Sequence, residues 1–128
     1  MEIVRDLFER WNRGDYTKIE WADPDIEFVM QTPGGGSWRG IDEMRTAWLD
    51  FLKVWQGFSG EPEEIIDVGD QVLALNRFGG RGRESGVPIR DMQGAALFRF
   101  EGDRVVRLVL FGNQGEAREA AGLSESDA

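Results

Sequence analysis

The sequence predicts an α+β domain in which helices come early in the chain and antiparallel strands come late. Before residue 57, two segments repeat apolar residues at helical spacing. From residue 58 onward, strand-length apolar segments are separated by turn residues. No internal repeat divides the chain, so we expect one domain over residues 1–123 and a frayed tail at 124–128. This segregation indicates helices on one face of a curled sheet.

The composition fits such a domain and limits its partners. A chain of 128 residues with 41% hydrophobic residues, five Trp and eight Phe can bury an ordinary core. Its formal charge of −9 repels phosphate backbones and anionic lipid, so we expect no nucleic-acid or membrane partner. The sequence shows neither a signal-peptide pattern nor an apolar run of membrane-spanning length, and this favours a cytoplasmic protein.

Two residue types that carry much of protein chemistry are missing. The chain has no Cys, which excludes disulfides and thiolate nucleophiles, and no His, which excludes imidazole metal ligands and His-based proton transfer. The neighbouring carboxylates Asp23 and Asp25, and Glu61, Glu63 and Glu64, fall in turn or edge contexts. We interpret them as solvated charge, and we predict neither a metal nor a cofactor.

The first elements follow from spacing and from helix-ending residues. Apolar residues at helical spacing predict a helix over Glu2–Arg13, which Gly14 ends. Asp15 is predicted to be the N-cap of a short helical turn, which Pro24 ends. Alternating side chains then predict a strand over Ile26–Gln31.

A glycine-rich loop and the longest helix come next. Thr32–Ser37 contains three consecutive glycines, but it lacks the Lys-Ser/Thr ending of a phosphate loop, so we interpret it as an ordinary loop. Apolar residues at helical spacing then predict a helix over Ile41–Trp55, which Gly57 ends.

The rest of the chain has strand character. Four strands are expected at Phe58–Val68, Gln71–Arg83, Ile89–Phe100 and Arg104–Phe111. Pro62 indicates that its strand lies at an edge or contains a bulge, and Gly79 and Gly80 permit a bend in the next strand. Asn113, with Glu116 three residues later, has the spacing of a capping box for a final short helix ending at Gly122.

Six segments together carry a family resemblance that covers nearly the whole chain. They are Phe8–Asp15, Asp23–Phe28, Trp38–Gly40, Arg81–Val87, Gly102–Leu108 and Glu119–Leu123. In this combination they resemble the SnoaL-like branch of the nuclear transport factor 2-like superfamily, which has the polyketide cyclase and ketosteroid isomerase-like fold. The resemblance implies a cone-shaped α+β barrel, with N-terminal helices packed on a strongly curved, mostly antiparallel mixed sheet.

The resemblance also identifies positions at which relatives carry catalytic groups. The base, tyrosine and aspartic acid of ketosteroid isomerases correspond to about Met30, Leu7 and Ala96. The Asp-Arg-Asp set of limonene-epoxide hydrolases corresponds to about Ala74, Asn76 and Leu110. Neither catalytic set is present, and the fold alone does not specify an activity.

Strand parity and the resemblance predict an apolar ligand pocket between helices and sheet. The expected lining residues are Trp11, Phe28, Met30, Trp48, Trp55, Met92, Ala96 and Phe98, with the three tryptophans on helices. Gln31 and Trp38 are expected at the mouth of the pocket. Such Met and Trp side chains suit a hydrophobic or aromatic ligand. The alternative is that these residues pack against one another into a solid core.

A few polar residues are candidates for catalysis. Asn76 and Arg77 fall in mid-strand, Asp91 follows Arg90 early in the next strand, and Tyr16 is the only tyrosine. An Arg beside a carboxylate can position an anion or keep an Asp ionised, but it can equally form a structural ion pair at the sheet edge.

These observations favour a protein that binds a small hydrophobic molecule, and they leave open whether it is an enzyme. One alternative is an isomerase, cyclase or dehydratase acting on a hydrophobic carbonyl compound. Another is a non-catalytic module that dimerises through its sheet. A homodimer is expected in each case, because relatives pair through the sheet and the strand Arg104–Phe111 has apolar residues of both parities.

Overall fold

The computed structural model describes residues 2–12, 21–31, 35–53, 55–82 and 88–123. Their elements are α1 (Glu2–Asn12), β1 (Ala22–Gln31), β2 (Ser37–Arg39), α2 (Ile41–Leu52), β3 (Trp55–Val68), β4 (Gln71–Gly82), β5 (Pro88–Glu101), β6 (Arg104–Phe111) and α3 (Gln114–Ala120). The α+β class is therefore confirmed. Within the described ranges, no helix is long and apolar enough to cross a membrane.

The six strands form one mixed sheet in the order β2-β1-β6-β5-β4-β3. Only β1 and β6 are parallel, and the other neighbouring pairs are antiparallel. The parallel contact brings the first long strand against the last one. The sheet is open, with β2 and β3 at its edges, so it forms a cone rather than a closed barrel.

Two apolar clusters lie on opposite faces of this sheet. On the face that we call interior, β1, β4, β5 and β6 pack with Val4, Leu7 and Phe8 of α1 and with Met44 and Ala47 of α2. On the other, exterior face, Ala117 of α3 and Ala121, which follows it, pack with residues such as Leu73 and Leu97. The expectation that all helices share one face is therefore wrong for α3. The cause is that the central strands are apolar on both faces, so each face has to be buried against another element.

Three element boundaries differ from the sequence prediction. Helix α2 ends at Leu52, and Trp55 begins β3 instead of ending a helix. The short strand Ser37–Arg39, which pairs with β1, was not predicted. Strand β1 begins at Ala22, and its pairing with β6 is irregular between Ala22 and Glu27. Pro24 lies in that irregular stretch, where a missing backbone donor costs little.

Other local predictions are confirmed. Pro62 lies on the edge strand β3, next to a register shift between Pro62 and Glu64. Gly69 turns the chain from β3 into β4 with φ 67°, in the left-handed region that favours glycine. Asn113 caps α3, and its side chain accepts a hydrogen bond of 3.0 Å from the backbone N–H of Glu116.

Some predictions fall outside the described residues. They concern residues 15–20 of the predicted helical turn, residues 32–34 of the glycine loop, residues 84–87 of the predicted loop, and the tail at 124–128.

Candidate functional site

The candidate site is built on the interior face, where the strand register aligns side chains in rows across the sheet. The first row runs from Phe28 through Leu108 and Phe98 to Val72. The second row consists of Met30, Leu110, Ala96, Ala74 and Ile65. The third row begins with Gly94 and Asn76, which are paired between β5 and β4.

The first row and the centre of the second are tightly packed. Phe98 and Ala74 are 0% exposed, and Phe28 and Ala96 are 1% exposed. A side chain that is closed to solvent in this way has no water-sized space beside it, so this part of the cone is a solid core. Packing between Phe28 and Trp38 extends it toward β2, with the ring centroids 5.9 Å apart.

Around this core lies a set of apolar side chains that are only partly buried. Met30, Trp38, Trp48 and Leu110 all pack against the interior cluster and keep some exposure; we call them the apolar rim. Met30 and Leu110 are direct neighbours in the second row. Trp48 belongs to α2, which contacts both β1 and β2, and its ring stacks on Phe51 with the centroids 5.5 Å apart.

Among the residues whose side chains the structure describes, Asn76 is the only buried polar or charged one, with 8% exposure. Val72 and Ala74 belong to the interior cluster and Leu73 and Leu75 to the exterior one, so alternation along β4 directs Asn76 to the interior. Its register with β5 continues unbroken through this position.

The carboxamide of Asn76 is incompletely satisfied. Its Oδ1 atom is buried and has no hydrogen-bond partner among the described residues. An unpaired buried acceptor costs about 1–3 kcal/mol of folding free energy. The paired positions on either side, Gly94 of β5 and Pro62 of β3, have no side-chain donor, and neither do Ala74 and Ala96 in the second row. Gly94 has no side chain at all, and it is itself buried.

The main chain at this point is held from the exterior side by α3. The Nε2 atom of Gln114 donates hydrogen bonds to the carbonyl oxygens of Asn76, at 3.4 Å, and Gly94, at 3.2 Å. One side chain thereby links β4 and β5 where the third row begins. No sequence pattern predicts this contact, because a single glutamine after a cap does not indicate which carbonyls it reaches.

The other catalytic candidates are not assembled around Asn76 in the described structure. Arg77 points to the exterior, half-exposed, and forms a 2.9 Å ion pair with Glu63. Such a surface pair contributes about 0–1 kcal/mol to stability. Tyr16 lies outside the described residues, as does the side chain of Asp91.

The predicted pocket residues divide into three groups. Phe28, Ala96 and Phe98 lie in the packed core, whereas Met30, Trp38 and Trp48 belong to the apolar rim. The side chains of Trp11, Trp55 and Met92 are outside the described part of the structure.

Gln31 is exposed at the end of β1 and pairs with Phe111, whose side chain belongs to the exterior cluster. Its position gives no support for a role at the mouth of an interior pocket.

Charged groups form no metal-binding arrangement among the described residues. No group of three or more Asp or Glu side chains there is arranged to hold a metal ion. The described ion pairs lie near the surface, for example between Arg107 Nε and Glu27 Oε1 at 2.9 Å across β6 and β1. The interior face in this region therefore offers an apolar surface and one neutral amide.

Comparison with known proteins agrees with this architecture. The family model described as SnoaL-like domain matches residues 4–108. No curated protein matches the chain at a significant level.

Solved structures show the same fold. An NTF2-like protein from Burkholderia thailandensis is 24% identical with a TM-score of 0.76, over 86% of this chain and 87% of that one. An NTF2-like protein of unknown function from Burkholderia pseudomallei is 21% identical with a TM-score of 0.77, over 93% and 94%. A protein with a ketosteroid isomerase-like fold from Catenulispora acidiphila, in complex with trimethylamine, is 17% identical with a TM-score of 0.73, over 95% and 93%. At these identities the likeness establishes the fold alone.

Proposed function

The chain belongs to the SnoaL-like domain family, and from that premise we propose that it binds a small, largely apolar molecule on the interior side of its sheet. The observation that carries the proposal is the apolar rim of Met30, Trp38, Trp48 and Leu110, which packs against the core without being fully buried. Apolar side chains that border a core and still meet solvent are typical of the entrance to an apolar site. A bound ligand gains free energy by removing their surface from water.

The proposal places the ligand beyond the packed rows, not among them. Phe28, Phe98 and Ala96 form the floor, because no water-sized space adjoins them. The ligand itself then lies against the apolar rim. The proposal thereby combines the two sequence hypotheses, with a solid core beneath the apolar rim and a ligand against it. The complex of the Catenulispora acidiphila neighbour with trimethylamine supports uptake of a small molecule by a chain of this fold.

An isomerase, cyclase or dehydratase is the second candidate function, and fewer observations support it. Such an enzyme needs a group that takes a proton from the substrate. No charged residue is buried among those whose side chains the structure describes, a set that leaves out Asp91, and Arg77 points away from the interior. Binding, in contrast, requires only the apolar surface and the neutral amide that are present.

A homodimer remains part of the proposal, and it now rests only on the resemblance to relatives that pair through the sheet. The apolar residues of both parities in β6 find partners within the chain, since Leu108 packs in the interior cluster and Val109 in the exterior cluster. Leu49, which is 45% exposed, is the only large exposed hydrophobic residue among those whose side chains the structure describes. Size-exclusion chromatography with light scattering tests the dimer, and a clean monomer at micromolar concentration would overturn it.

A thermal-shift screen tests the binding proposal directly. The panel contains steroids, polyketide-like aromatics, fatty acids and hydrophobic carbonyl compounds. A ligand at one hundred times its Kd stabilises the folded state by about 2.7 kcal/mol. For a domain of this size, that corresponds to a rise in Tm of roughly 10 °C.

Two matched variants locate the binding surface. Met30→Asp places a charge in the apolar rim and is expected to abolish the shift, because an apolar ligand cannot compensate its desolvation. Leu49→Asp introduces the same charge at the exposed position next to Trp48 and is expected to keep the shift. Equal loss of the shift in both variants, or no shift with any compound for a wild-type protein that melts cooperatively, contradicts the proposal.

A further inference from the structure

Two methionines of the interior face differ in their access to solvent. The chain has four methionines and no cysteine, so its sulfur atoms are all thioethers. Met30 of β1 belongs to the apolar rim and is only partly buried, whereas Met44 of α2 is 5% exposed within the interior cluster. Because oxidation of a methionine follows its exposure, an oxidant in solution is expected to reach Met30 before Met44.

The main chain at Met30 is held on both sides of its strand. Met30 lies beside Leu110 in the parallel pairing of β1 with β6. Its backbone N–H also donates a hydrogen bond of 2.9 Å to the carbonyl oxygen of Gly36. None of these backbone contacts involves the thioether. A chemical change at the sulfur atom is therefore expected to alter the surface of the apolar rim and to leave the sheet as it is.

We infer that Met30 is a site of reversible oxidation by peroxide, and that its oxidation weakens ligand binding. Hydrogen peroxide transfers one oxygen atom to the thioether: the O–O bond breaks, a sulfur–oxygen bond forms, the sulfur gives up two electrons, and water leaves. A methionine sulfoxide reductase restores the thioether. Two thiols of that enzyme supply the electrons and become a disulfide, and the oxygen leaves as water. This inference rests on the proposed function and adds a regulation to it.

Oxidation at this position acts on the surface that the ligand covers. The sulfoxide oxygen is a strong hydrogen-bond acceptor, which water solvates in the free protein. An apolar ligand that lies against the apolar rim removes this water and offers no donor in its place. Leu110, the direct neighbour of Met30 in the second row, has no side-chain donor either. We therefore expect the oxidised protein to bind an apolar ligand about tenfold more weakly than the reduced protein.

Peptide mapping of the folded wild-type protein tests the site of oxidation. The protein is treated with a small excess of hydrogen peroxide, digested with trypsin and analysed by mass spectrometry. Trypsin places each methionine on a different peptide, with Met30 on residues 19–39 and Met44 on residues 40–45. We expect the first of these peptides to gain one oxygen atom while the second is still unmodified. Oxidation of Met44 as fast as Met30 overturns the inference.

Titration with Nile red, an uncharged apolar dye, tests the effect on binding. The Kd of the wild-type protein is expected to rise about tenfold after peroxide treatment. It is expected to return to its first value after incubation with methionine sulfoxide reductase and dithiothreitol, a reagent that finds no disulfide in a chain without cysteine. In Met30→Leu the Kd is expected to be the same before and after peroxide, whatever its value. Met44→Leu, the matched control in the core, is expected to keep the tenfold rise.

The outcomes separate the regulation from the binding itself. An unchanged Kd for wild-type protein whose Met30 is fully oxidised overturns the inference and leaves apolar binding intact, and so does an equal loss of affinity in Met30→Leu. The wild-type peptide map and Kd decide alone if a variant does not fold. If the reduced wild-type protein binds neither Nile red nor any compound of the thermal-shift panel, the proposed function is removed, and this inference with it.

Discussion

Replacement of Asn76 by Leu is expected to stabilise the ligand-free protein, although it changes a buried residue. The unpaired Oδ1 atom costs about 1–3 kcal/mol, and an apolar side chain of similar length removes that cost. Leu has the same number of side-chain heavy atoms and the same branching as Asn, which limits overpacking. We expect the free energy of unfolding to rise by about 1–2 kcal/mol and Tm to rise by roughly 4–8 °C.

Urea and thermal unfolding followed by circular dichroism provide the measurement. A rise in the urea midpoint with an unchanged m-value would assign the effect to the folded state. Gln93→Leu is the matched control, because Gln93 is exposed on the adjacent strand and pairs with Arg77; a change within about 0.5 kcal/mol is expected there. A lower Tm for Asn76→Leu would refute the reasoning, since it would mean that Oδ1 has a stabilising partner in the folded protein.

Three further predictions concern packing, capping and the surface. Phe98→Ala removes a ring that is 0% exposed, so calorimetry is expected to show a loss of about 3–5 kcal/mol; a loss below 1 kcal/mol would contradict the solid core. Asn113→Ala removes the acceptor for the Glu116 amide and is expected to cost about 1 kcal/mol in urea unfolding, whereas an unchanged midpoint would contradict the cap. Arg77→Gln breaks the exposed pair with Glu63 and is expected to change stability by about 1 kcal/mol or less, so a larger loss in the same assay would show a role that this ion pair does not explain.

The sequence predicted the order of the elements well, because most of them carry a clear local signal. Strand β6 has the predicted bounds, Arg104–Phe111, and Asn113 caps α3 as its spacing indicated. The boundary between α2 and β3 was missed for a physical reason. Trp55 continues the helical spacing of Phe51, so periodicity alone cannot detect that the chain has already become a strand. A strand of three residues such as β2 is too short to show a period.

The candidate site was harder to predict than the fold. The segment Val72–Leu75 is apolar at every position, so alternation in the sequence could not tell whether Asn76 or Arg77 faces the interior. The structure resolves this, because Val72 and Ala74 belong to the interior cluster. For the same reason, the sequence could not show on which face of the sheet α3 packs. Its packing on the exterior face follows from tertiary contacts, which no local pattern reports.

The edge strand β3 has a consequence for how the protein behaves at high concentration. It is fourteen residues long and has a sheet neighbour, β4, on one side only, so its other side offers backbone groups to any second strand. Pro62 removes one donor, and the register shift beside it bends the strand. Exposed Glu61, Glu63 and Glu64 place charged side chains at the same point, where Glu63 and Glu64 form ion pairs with arginines. This stretch therefore opposes edge-to-edge aggregation, which a long, flat and uncharged edge would promote.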